Sequence, residues 1–391
     1  LIMDYGKIAI EKHKEWAGKL ETTPKMKIET KDDLSVAYTP GVAAPCLEIK
    51  DDLKNSYVYT GRGNTVAVVS DGSAVLGLGN IGPEAGMPVM EGKCALFKSL
   101  GDVNAVPLVI GTQDTEEIIK VVKALEPSFG GINLEDIAAP RCFEVERRLQ
   151  EMMDIPVFHD DQHGTAIVVC SALVNALKLA KKENPTIVIN GAGSAGIAIA
   201  NLILKLKLGN IIICDSKGIV TKDRPNLTTG KKELMDKVNL NNKKGLLKDA
   251  LEGADVFIGV SVAHCVTKEM VASMNEKPIV LAMANPTPEI DPADAFEAGA
   301  YIVGTGRSDY ANQINNVLAF PGIFKGALQA QATCINDAMK EAAVYAIASL
   351  VSEEELCPEK VIVSPLQKGV ADVVAAAVKK AAIESDVVRK W

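Results

Sequence analysis

Two pairs of adjacent acidic residues each follow a short apolar segment of the chain. These pairs are Glu135-Asp136 and Asp160-Asp161. Parallel strands present their carboxyl ends at one edge of a sheet, where ligands bind, so we expect the four side chains to converge there. Carboxylates this close would repel one another without a hard cation, and Mg²⁺ or Mn²⁺ takes oxygen ligands. The alternative is that these residues cap the helices that follow, as aspartate often does.

A second motif is rich in glycine and has the spacing of a dinucleotide-binding loop. It follows the apolar segment 186–190, opens a predicted helix, and reads Gly191, Ala192, Gly193, Ser194, Ala195, Gly196. We expect Gly191 to allow a tight turn, Gly193 to let the backbone approach a pyrophosphate, and Gly196 to let helix and strand pack closely. The alternative is a tight turn that binds no nucleotide.

One acidic residue beyond this loop bears on the choice of nucleotide. Asp215 stands 24 residues after Gly191, at the end of a second predicted strand. Its carboxylate can accept hydrogen bonds from the adenine ribose hydroxyls and would oppose a 2′-phosphate. We therefore predict NAD as the cofactor, with NADP left open because the nearby Lys217 could meet a 2′-phosphate.

A lysine and a tyrosine have surroundings that suit proton transfer. Lys93 lies in the largely apolar segment 87–97, where desolvation would lower the pKa of its ammonium towards that of a general base. Tyr38 lies in a turn that Pro40 and Gly41 constrain. Residue type alone does not select either one, because most lysines are solvated and most tyrosines pack in a core.

Short apolar segments alternate with predicted helices along most of the chain, which is typical of parallel sheets with helical crossovers. The first twenty residues predict an amphipathic helix, and a long apolar helix at 165–181 divides the strand pattern. We therefore predict an α/β fold with two domains. Residues 1–160 form an amino-terminal catalytic domain, and residues 161–391 form a doubly wound, Rossmann-like nucleotide-binding domain with a helical carboxy-terminal segment.

Composition excludes several classes of protein. The 391 residues carry 42 basic and 50 acidic side chains, a net charge of −8, and no basic stripe suits nucleic acid or an anionic membrane. Eight scattered cysteines without a C-x-x-C pair indicate a reducing compartment. Because no stretch approaches ~18 apolar residues and no secretory apolar segment begins the chain, we predict a cytoplasmic protein without a membrane span.

Together and in order, these motifs resemble those of the malic enzymes, the decarboxylating malate dehydrogenases. The resemblance covers about residues 35–323. Besides the glycine-rich loop it is carried by Ala37-Tyr38-Thr39-Pro40-Gly41-Val42-Ala43, Leu76-Gly77-Leu78-Gly79-Asn80, Gly92-Lys93, Asn133-Leu134-Glu135-Asp136, Phe158-His159-Asp160-Asp161-Gln162-His163-Gly164-Thr165, Ala284-Asn285-Pro286-Thr287, Asn315-Asn316 and Phe320-Pro321-Gly322. The chain length resembles the short prokaryotic subclass, for which a homodimer is the family expectation.

The resemblance implies oxidative decarboxylation of L-malate to pyruvate and CO₂ with reduction of NAD(P). It also implies a divalent metal, Mg²⁺ or Mn²⁺, held by Glu135, Asp136 and Asp161. Lys93, assisted by Asp160, matches the base that takes the C2 hydroxyl proton. Tyr38 matches the acid that later protonates C3. The positions that contact the substrate and the nicotinamide side match Asn285 and Asn316.

The chain departs from the family pattern at one position. Larger members place an arginine after the residues matching Asp71-Gly72 to hold a malate carboxylate, whereas this chain continues with Ser73 and Ala74. Arg62 is the remaining guess for that anchor. Two other functions stay open at this stage, a metal-dependent oxaloacetate decarboxylase that keeps NAD as a structural ligand and a non-catalytic module that senses NAD(H).

Overall fold

The computed structural model describes residues 5–75, 77–225, 227 and 229–391, and it contains two largely parallel β-sheets flanked by helices. Residues 1–4, at the start of the predicted amino-terminal helix, lie outside the described residues. So does Leu76, which belongs to one of the resemblance motifs. The predicted α/β fold with a Rossmann-like second half is confirmed. The domain limits at 160 and 161 stay a prediction.

The first sheet has four parallel strands in the order β2-β1-β3-β4. Its strands are short and apolar, and helices pack on both faces, so β1, β3 and β4 are buried as in other parallel sheets, whereas the edge strand β2 is only partly buried. The elements of this half are α1 (Tyr5–Trp16), α2 (Lys31–Ala37), α3 (Ala43–Asp51), α4 (Asn55–Tyr59), β1 (Thr65–Ser70), α5 (Pro83–Gly101), β2 (Asn104–Val109), α6 (Thr115–Ala124), β3 (Gly131–Leu134), α7 (Arg141–Met152) and β4 (Val157–His159).

The second sheet has six strands in the order β10-β9-β8-β5-β6-β7, and only β7 is antiparallel. The chain builds outward from β5 in both directions, so a crevice opens between β5 and β8 at the strands' carboxyl ends. The elements through this sheet are α8 (Asp160–Ala180), β5 (Thr186–Asn190), α9 (Ser194–Leu206), β6 (Asn210–Asp215), β7 (Gly218–Ile219), α10 (Thr229–Met235), α11 (Leu247–Leu251), β8 (Val256–Gly259), α12 (Lys268–Ala272), β9 (Ile279–Ala282), α13 (Pro292–Glu297) and β10 (Ile302–Thr305).

Three further helices complete the chain: α14 (Phe320–Ala330), α15 (Asp337–Ala348) and α16 (Val370–Glu384). They return to the first half, where Phe320 of α14 packs against Phe97 of α5 with ring centres 4.6 Å apart. A single hydrophobic cluster therefore includes residues of both sheets. Helix α8 is long and apolar enough to cross a membrane, and it is mostly buried between α9 and α15, as expected of a core helix.

Residues 5–59, which we call the amino-terminal arm, bury almost nothing within the chain. No residue of α1, α2 or α3 is buried. Large apolar side chains are exposed along the arm, among them Tyr5, Ile10, Trp16, Ile28, Val36, Leu47 and Leu53. The predicted amphipathic helix is thus present at 5–16, but no residue in it is buried.

Candidate active site

The predicted metal ligands meet at the carboxyl edge of the first sheet. Because β3 and β4 are adjacent parallel strands, the acidic pairs that follow them lie side by side. One carboxylate oxygen from each of Glu135, Asp136 and Asp161 lies within 4.8 Å of the other two. The capping alternative does not describe them, since α8 begins at Asp160 and its N-cap residue is His159.

Backbone geometry fixes the relation between two of these acids. Asp136 has a φ of +54°, a left-handed conformation that aspartate tolerates better than most residues. In that conformation its amide donates a hydrogen bond to Oδ2 of Asp161 at 2.8 Å. The Oδ2 atom of Asp136 is buried and accepts no hydrogen bond from the described residues. An acceptor left without a donor in this position suits a cation.

Lys93 lies in the middle of α5 with only 7% of the residue exposed. Its Nζ donates to Oδ2 of Asp160 at 2.5 Å and to Oε1 of Glu135 at 2.9 Å. The ammonium also lies 4.1 Å from the centre of the Phe320 ring. Lys93 therefore joins both acidic pairs, with an aromatic ring excluding water on one side.

Two asparagines complete the hydrogen bonding of the acidic pairs. Asn316 donates to the same Oδ2 atom of Asp160 at 2.5 Å, and Asn133 donates to Oε2 of Glu135 at 2.8 Å. The other oxygen of Asp160 is buried and has no partner among the described residues. Asp160 is completely buried, so its charge is balanced chiefly by Lys93.

Burial and mutual repulsion perturb the acids strongly. Burial, with the repulsion of Asp161 and Glu135, raises the pKa of Asp136 to about 9. Burial likewise raises the pKa of Asp160 to about 7 and that of Asp161 to about 6, against the opposing effect of Lys93. These carboxylates are costly to ionise together without a cation, and three convergent oxygen donors fit a hard ion such as Mg²⁺ or Mn²⁺.

The pKa of Lys93 contradicts its sequence-based expectation. Burial lowers this pKa, as predicted, but the neighbouring carboxylates of Asp160 and Glu135 more than offset burial and raise it above its ordinary value. The prediction considered only the apolar neighbours in sequence. The acids that decide the direction come from β3 and α8, far along the chain.

The glycine-rich loop has the geometry that its three glycines suggest. Gly191 has a φ of +120°, and a Cβ there would lie 2.4 Å from the carbonyl oxygen of Val260. A Cβ on Gly196 would lie 1.8 Å from the carbonyl oxygen of Gly191, so the helix start and the turn are in direct contact. Gly193, the N-cap of α9, has nothing within 4 Å of its Cβ position, which leaves its backbone open.

Asp215 ends β6, but its carboxylate already has a partner. Nη1 of Arg224 donates to both of its oxygens, at 2.6 and 2.7 Å, and Nζ of Lys231 lies 3.5 Å from Oδ2. Burial raises the pKa of Asp215, but hydrogen bonds from Arg224 and from the Lys217 amide outweigh it and lower the pKa below its ordinary value. Sequence analysis missed Arg224, since nothing in the spacing marks it.

A cavity of about 840 Å³ brings the two sheet edges together. From the first half it is lined by Lys93, Glu135, Asp136 and Asp161, and from the second by Ser194, Ala195, Asn285 and Asn316. This volume lies within the usual range for small-molecule sites. Asp160 lies behind the lining, bonded to both Lys93 and Asn316. The predicted site residues that are not among those lining the cavity are Tyr38, Asp160, Asp215, Gly191, Ala192, Gly193 and Gly196.

Tyr38 does not line the cavity that Lys93 lines. It is the C-cap of α2 in the amino-terminal arm and is 66% exposed. Its side chain is therefore available to a second molecule.

Arg62, the sequence-based guess for a carboxylate anchor, lies at the amino-terminal edge of the first sheet, opposite the cavity. Its guanidinium is bonded to Ser56 and to the carbonyls of Phe129 and Glu126. The guess is therefore wrong. Beside the position where the family pattern has its arginine, Nη2 of Arg141 donates to Oδ2 of Asp71 at 2.6 Å, but Arg141 is not among the residues that line the cavity.

Arg141 also donates to Oγ of Ser73 at 2.8 Å, and that same oxygen accepts from the amide of Ala138 at 2.9 Å. Through these bonds α7 holds the loop after β1, whose Ala74 lines the cavity, against the loop after β3, whose Ala139 does so too. Sequence analysis missed this arginine because its partners are 68 and 70 residues away.

Glu289 is a second buried residue that sequence analysis missed. It is completely buried, and its carboxylate accepts from the amides of Ser261 at 2.9 Å and Ala284 at 3.0 Å. Ser261 in turn accepts from the side chain of Asn190 at 2.8 Å. This network ties together the ends of β5, β8 and β9, including the loop that carries Asn285.

Comparison with known protein families agrees with this geometry. Residues 17–150 match the family model "Malic enzyme, N-terminal domain", and residues 162–383 match "Malic enzyme, NAD binding domain". Among solved structures, the NAD-dependent malic enzyme of Thermotoga maritima superposes with a TM-score of 0.92 at 49% identity, over 95% of this chain and 98% of that one. The malic enzyme of Pyrococcus horikoshii gives 0.93 at 46% identity, over 98% and 92%.

Curated relatives point the same way. The bifunctional malic/malolactic enzyme of Bacillus subtilis is 58% identical over 97% of this chain and 94% of its own length. The NAD-dependent malic enzyme of Geobacillus stearothermophilus is 53% identical over 95% and 78%. The NADP-dependent malic enzyme of Escherichia coli is 48% identical over 95% of this chain, which spans only 51% of that longer protein. The chain belongs to the malic enzyme family.

Proposed function

We propose that this chain catalyses the oxidative decarboxylation of L-malate to pyruvate and CO₂ with reduction of NAD, and that it works in the cytoplasm. The observation that carries the proposal is one cavity lined both by the acidic residues with Lys93 and by Ser194 and Ala195, the part of the glycine-rich loop where α9 begins. The two family-model matches support the same reaction. No nucleic acid or membrane partner is needed for it.

The acidic edge would hold the metal and the reacting end of malate. Glu135, Asp136 and Asp161 supply carboxylate oxygens for Mg²⁺ or Mn²⁺. A divalent ion held there would supply polarisation of the C2 oxygen during loss of CO₂, and a bound nicotinamide would supply the hydride acceptor for C2. Asn285 and Asn316 line the cavity on the nucleotide side, where they can orient malate against the nicotinamide ring.

Lys93 is the group placed to take the proton of the C2 hydroxyl. Lys93 lines the cavity, and its Nζ is bonded to two carboxylates that keep it oriented. As Lys93 accepts that proton, Asp160 can share it through their hydrogen bond. Ligation of Glu135 by a cation would withdraw part of the negative charge that now raises the pKa of Lys93, which favours the basic form.

The assay that tests this function supplies L-malate with NAD or NADP, with Mn²⁺ or with EDTA, and follows reduced nicotinamide, pyruvate, lactate and CO₂. We expect equal amounts of reduced nicotinamide, pyruvate and CO₂ in the presence of Mn²⁺ and almost none with EDTA. Release of CO₂ without reduced nicotinamide would favour a lyase. Absence of malate turnover with either nucleotide would refute the proposal.

Tyr38 completes the reaction by protonating C3, and it does so in the active site of a second copy of the chain. Two observations support this arrangement: Tyr38 is exposed and does not line its own cavity, and the arm around it exposes many large apolar side chains. Such an exposed apolar surface is typical of a protein interface. The proposed assembly is a homodimer in which the arms pack on the partner.

Mixed dimers test this arrangement. The Tyr38→Phe and Lys93→Ala proteins, each inactive or slow by itself, are prepared separately. They are then mixed in mild denaturant and diluted so that their subunits recombine. If Tyr38 acts in the partner subunit, half of the mixed-dimer sites are intact and roughly a quarter of full activity returns in an equal mixture. If Tyr38 acts in its own subunit, mixing restores nothing.

A further inference from the structure

A second cavity lies on the opposite face of α8 from the proposed active site. We propose that it binds a small organic phosphate and that this binding changes the affinity of the acidic cluster for its metal. The cavity has a volume of about 550 Å³ and shares no lining residue with the first one. His163 and Ala166 of α8 line it, whereas Asp161 and Thr165 of the same helix line the proposed active site. The effect on the metal rests on the proposed function, and the binding of the phosphate does not.

The lining of this second cavity is positively charged, in a chain whose net charge is −8. Three elements each contribute one lysine: Lys205 from α9, Lys237 from the segment after α10, and Lys340 from α15. We call the cavity around these lysines the lysine pocket. Among the described residues that line it, Asp337 is the one acid, so three lysines and one aspartate leave an excess of positive charge. Asp337 lies 3.5 Å from Nζ of Lys205 and 3.9 Å from Nζ of Lys340, so it neutralises neither lysine at close range.

Lys340 is the lysine of the pocket that most lacks an anion. Only 14% of its side chain is exposed, yet within the described part of the chain its one ion-pair partner is the distant Asp337. Its Nζ donates instead to Nδ1 of His163, a neutral partner, at 3.3 Å. A largely buried ammonium without a close counter-charge lowers stability, and an anion in the pocket would offset that loss.

The residue types of the pocket favour a phosphate over a carboxylate. Lysine binds phosphate as a point charge, whereas the planar fork of arginine matches a carboxylate, and no arginine is among the described lining residues. The charge of a phosphate monoester near neutral pH, about −2, balances the excess of the lysines. The apolar side chains of Ala166, Ala198 and Leu202 line the same pocket and can contact the uncharged part of an organic phosphate.

A chain of hydrogen bonds connects Lys340 with the proposed metal edge. An ammonium only donates, so Nδ1 of His163 accepts and its Nε2 carries the hydrogen that is donated to Oε2 of Glu146 at 3.0 Å. The other oxygen of the buried Glu146 accepts from the amide of His159 at 2.8 Å. His159 directly precedes the acidic pair Asp160-Asp161. An anion that draws Lys340 away from His163 therefore acts on the backbone that positions this pair.

Calorimetry with glycerol 2-phosphate, in EDTA and without malate, tests binding to the intact protein. We expect a Kd below about 1 mM that rises with salt, at least about 10-fold weaker binding of the dicarboxylate succinate, and no binding of glycerol. Absence of binding at about 10 mM glycerol 2-phosphate would overturn the proposal. Equally tight binding of succinate would contradict the preference for phosphate. Binding that disappears when NADH is added would place the phosphate in the glycine-rich loop and also overturn the proposal.

Substitutions locate the site in the lysine pocket. Lys340→Gln should weaken glycerol 2-phosphate by about 10-fold or more, and Lys205→Gln by a smaller factor because Lys205 is more exposed. Lys205→Gln also keeps the test valid if Lys340→Gln misfolds. The matched control is Lys178→Gln on α8, since Lys178 is as exposed as Lys205 and pairs with Glu353 outside the pocket. A control that loses as much affinity as Lys205→Gln would show a general effect of charge and no pocket site.

Mn²⁺ affinity tests the connection to the metal edge. It is measured from the paramagnetic resonance signal of the free ion, with a protein-free blank for the weak binding of Mn²⁺ by glycerol 2-phosphate. Saturating glycerol 2-phosphate should change the Mn²⁺ Kd of wild type by about 3-fold or more, and that of Lys340→Gln by less. An unchanged Mn²⁺ Kd in wild type would overturn the connection. Malate turnover without phosphate binding overturns only this inference, whereas phosphate binding without malate turnover overturns only the proposed function.

Discussion

The two sheet edges that meet at the cavity present different chemical groups to their ligands. The edge of the first sheet gathers buried charged side chains, Glu135, Asp136, Asp160 and Lys93, in one small volume. The edge of the second sheet presents mainly backbone atoms. A side chain at Gly191 or Gly196 would clash with a backbone carbonyl, and the space beside Gly193 is open. The first edge therefore binds through charged side chains, and the second through backbone groups.

This difference predicts different costs. Buried like charges lower the free energy of unfolding until a cation binds. The side chains proposed for catalysis at the first edge therefore reduce the stability of the protein. The glycine loop needs no compensating ion, and its tight contacts favour the folded state directly. Substitutions at the first edge should therefore change turnover and metal dependence, whereas those at the second should change nucleotide affinity and stability.

The largest effect is expected at Lys93. Lys93→Ala removes the proposed base, so malate turnover should fall by about 10²- to 10⁴-fold, the usual contribution of general acid–base catalysis. NADH affinity, measured by fluorescence, should stay unchanged because the glycine loop is intact. Lys98→Ala is the control on the same helix, since Lys98 is exposed and pairs with nearby Asp102. Turnover of Lys93→Ala equal to that of the control would remove Lys93 from the mechanism.

Metal dependence at the first edge should appear in stability. With Mn²⁺ at 100 times its Kd, the wild-type chain should gain about 2.7 kcal/mol of unfolding free energy, and EDTA should abolish the gain. Asp136→Asn should lose this gain, yet it should be more stable than wild type in EDTA because one buried carboxylate is gone. Urea unfolding with and without Mn²⁺ measures both effects.

The control for that experiment is Glu151→Gln, which removes an exposed carboxylate from α7. It should respond to Mn²⁺ like wild type. An Asp136→Asn protein that gains as much from Mn²⁺ as the control does would show that the acidic cluster is not the metal site.

A matched pair of glycine substitutions tests the second edge. Gly196→Ala forces a Cβ against the carbonyl of Gly191 and should cost about 1–3 kcal/mol of stability as well as nucleotide affinity. Gly193→Ala meets no protein atom, so its stability should stay within about 0.5 kcal/mol of wild type. Its NADH affinity should still fall, because the new methyl group stands where the pyrophosphate approaches. Equal stability losses in both variants would contradict this view of the loop.

The sequence predicts what local rules determine. The acidic pairs converge because residues after neighbouring parallel strands share an edge, and the glycine spacing specifies a turn and a helix start. The predicted strand at 186–190 is confirmed residue for residue. The long helix predicted from 165 begins at Asp160, since its first turn is polar and has no apolar period to reveal it.

What the sequence could not predict depends on partners far along the chain. The raised pKa of Lys93 comes from Glu135 and Asp160, 42 and 67 residues away. Arg141 pairs with Asp71 from a helix 70 residues farther along the chain. The charges of residues close in sequence do not indicate which distant residues form such pairs. Only the fold shows these pairs.

The smallest effect should come from Glu289, a buried acid at the second edge, where backbone groups otherwise predominate. Glu289→Gln keeps the size of the side chain but turns an amide nitrogen towards the backbone N–H of Ser261 or Ala284, so one hydrogen bond is lost. The expected cost is about 1 kcal/mol of stability and a few-fold loss of NADH affinity. If Glu289 only positions the loop of Asn285, the KM for malate should rise while metal affinity stays that of wild type. A weakened Mn²⁺ site in this variant would mean that the two edges are not independent.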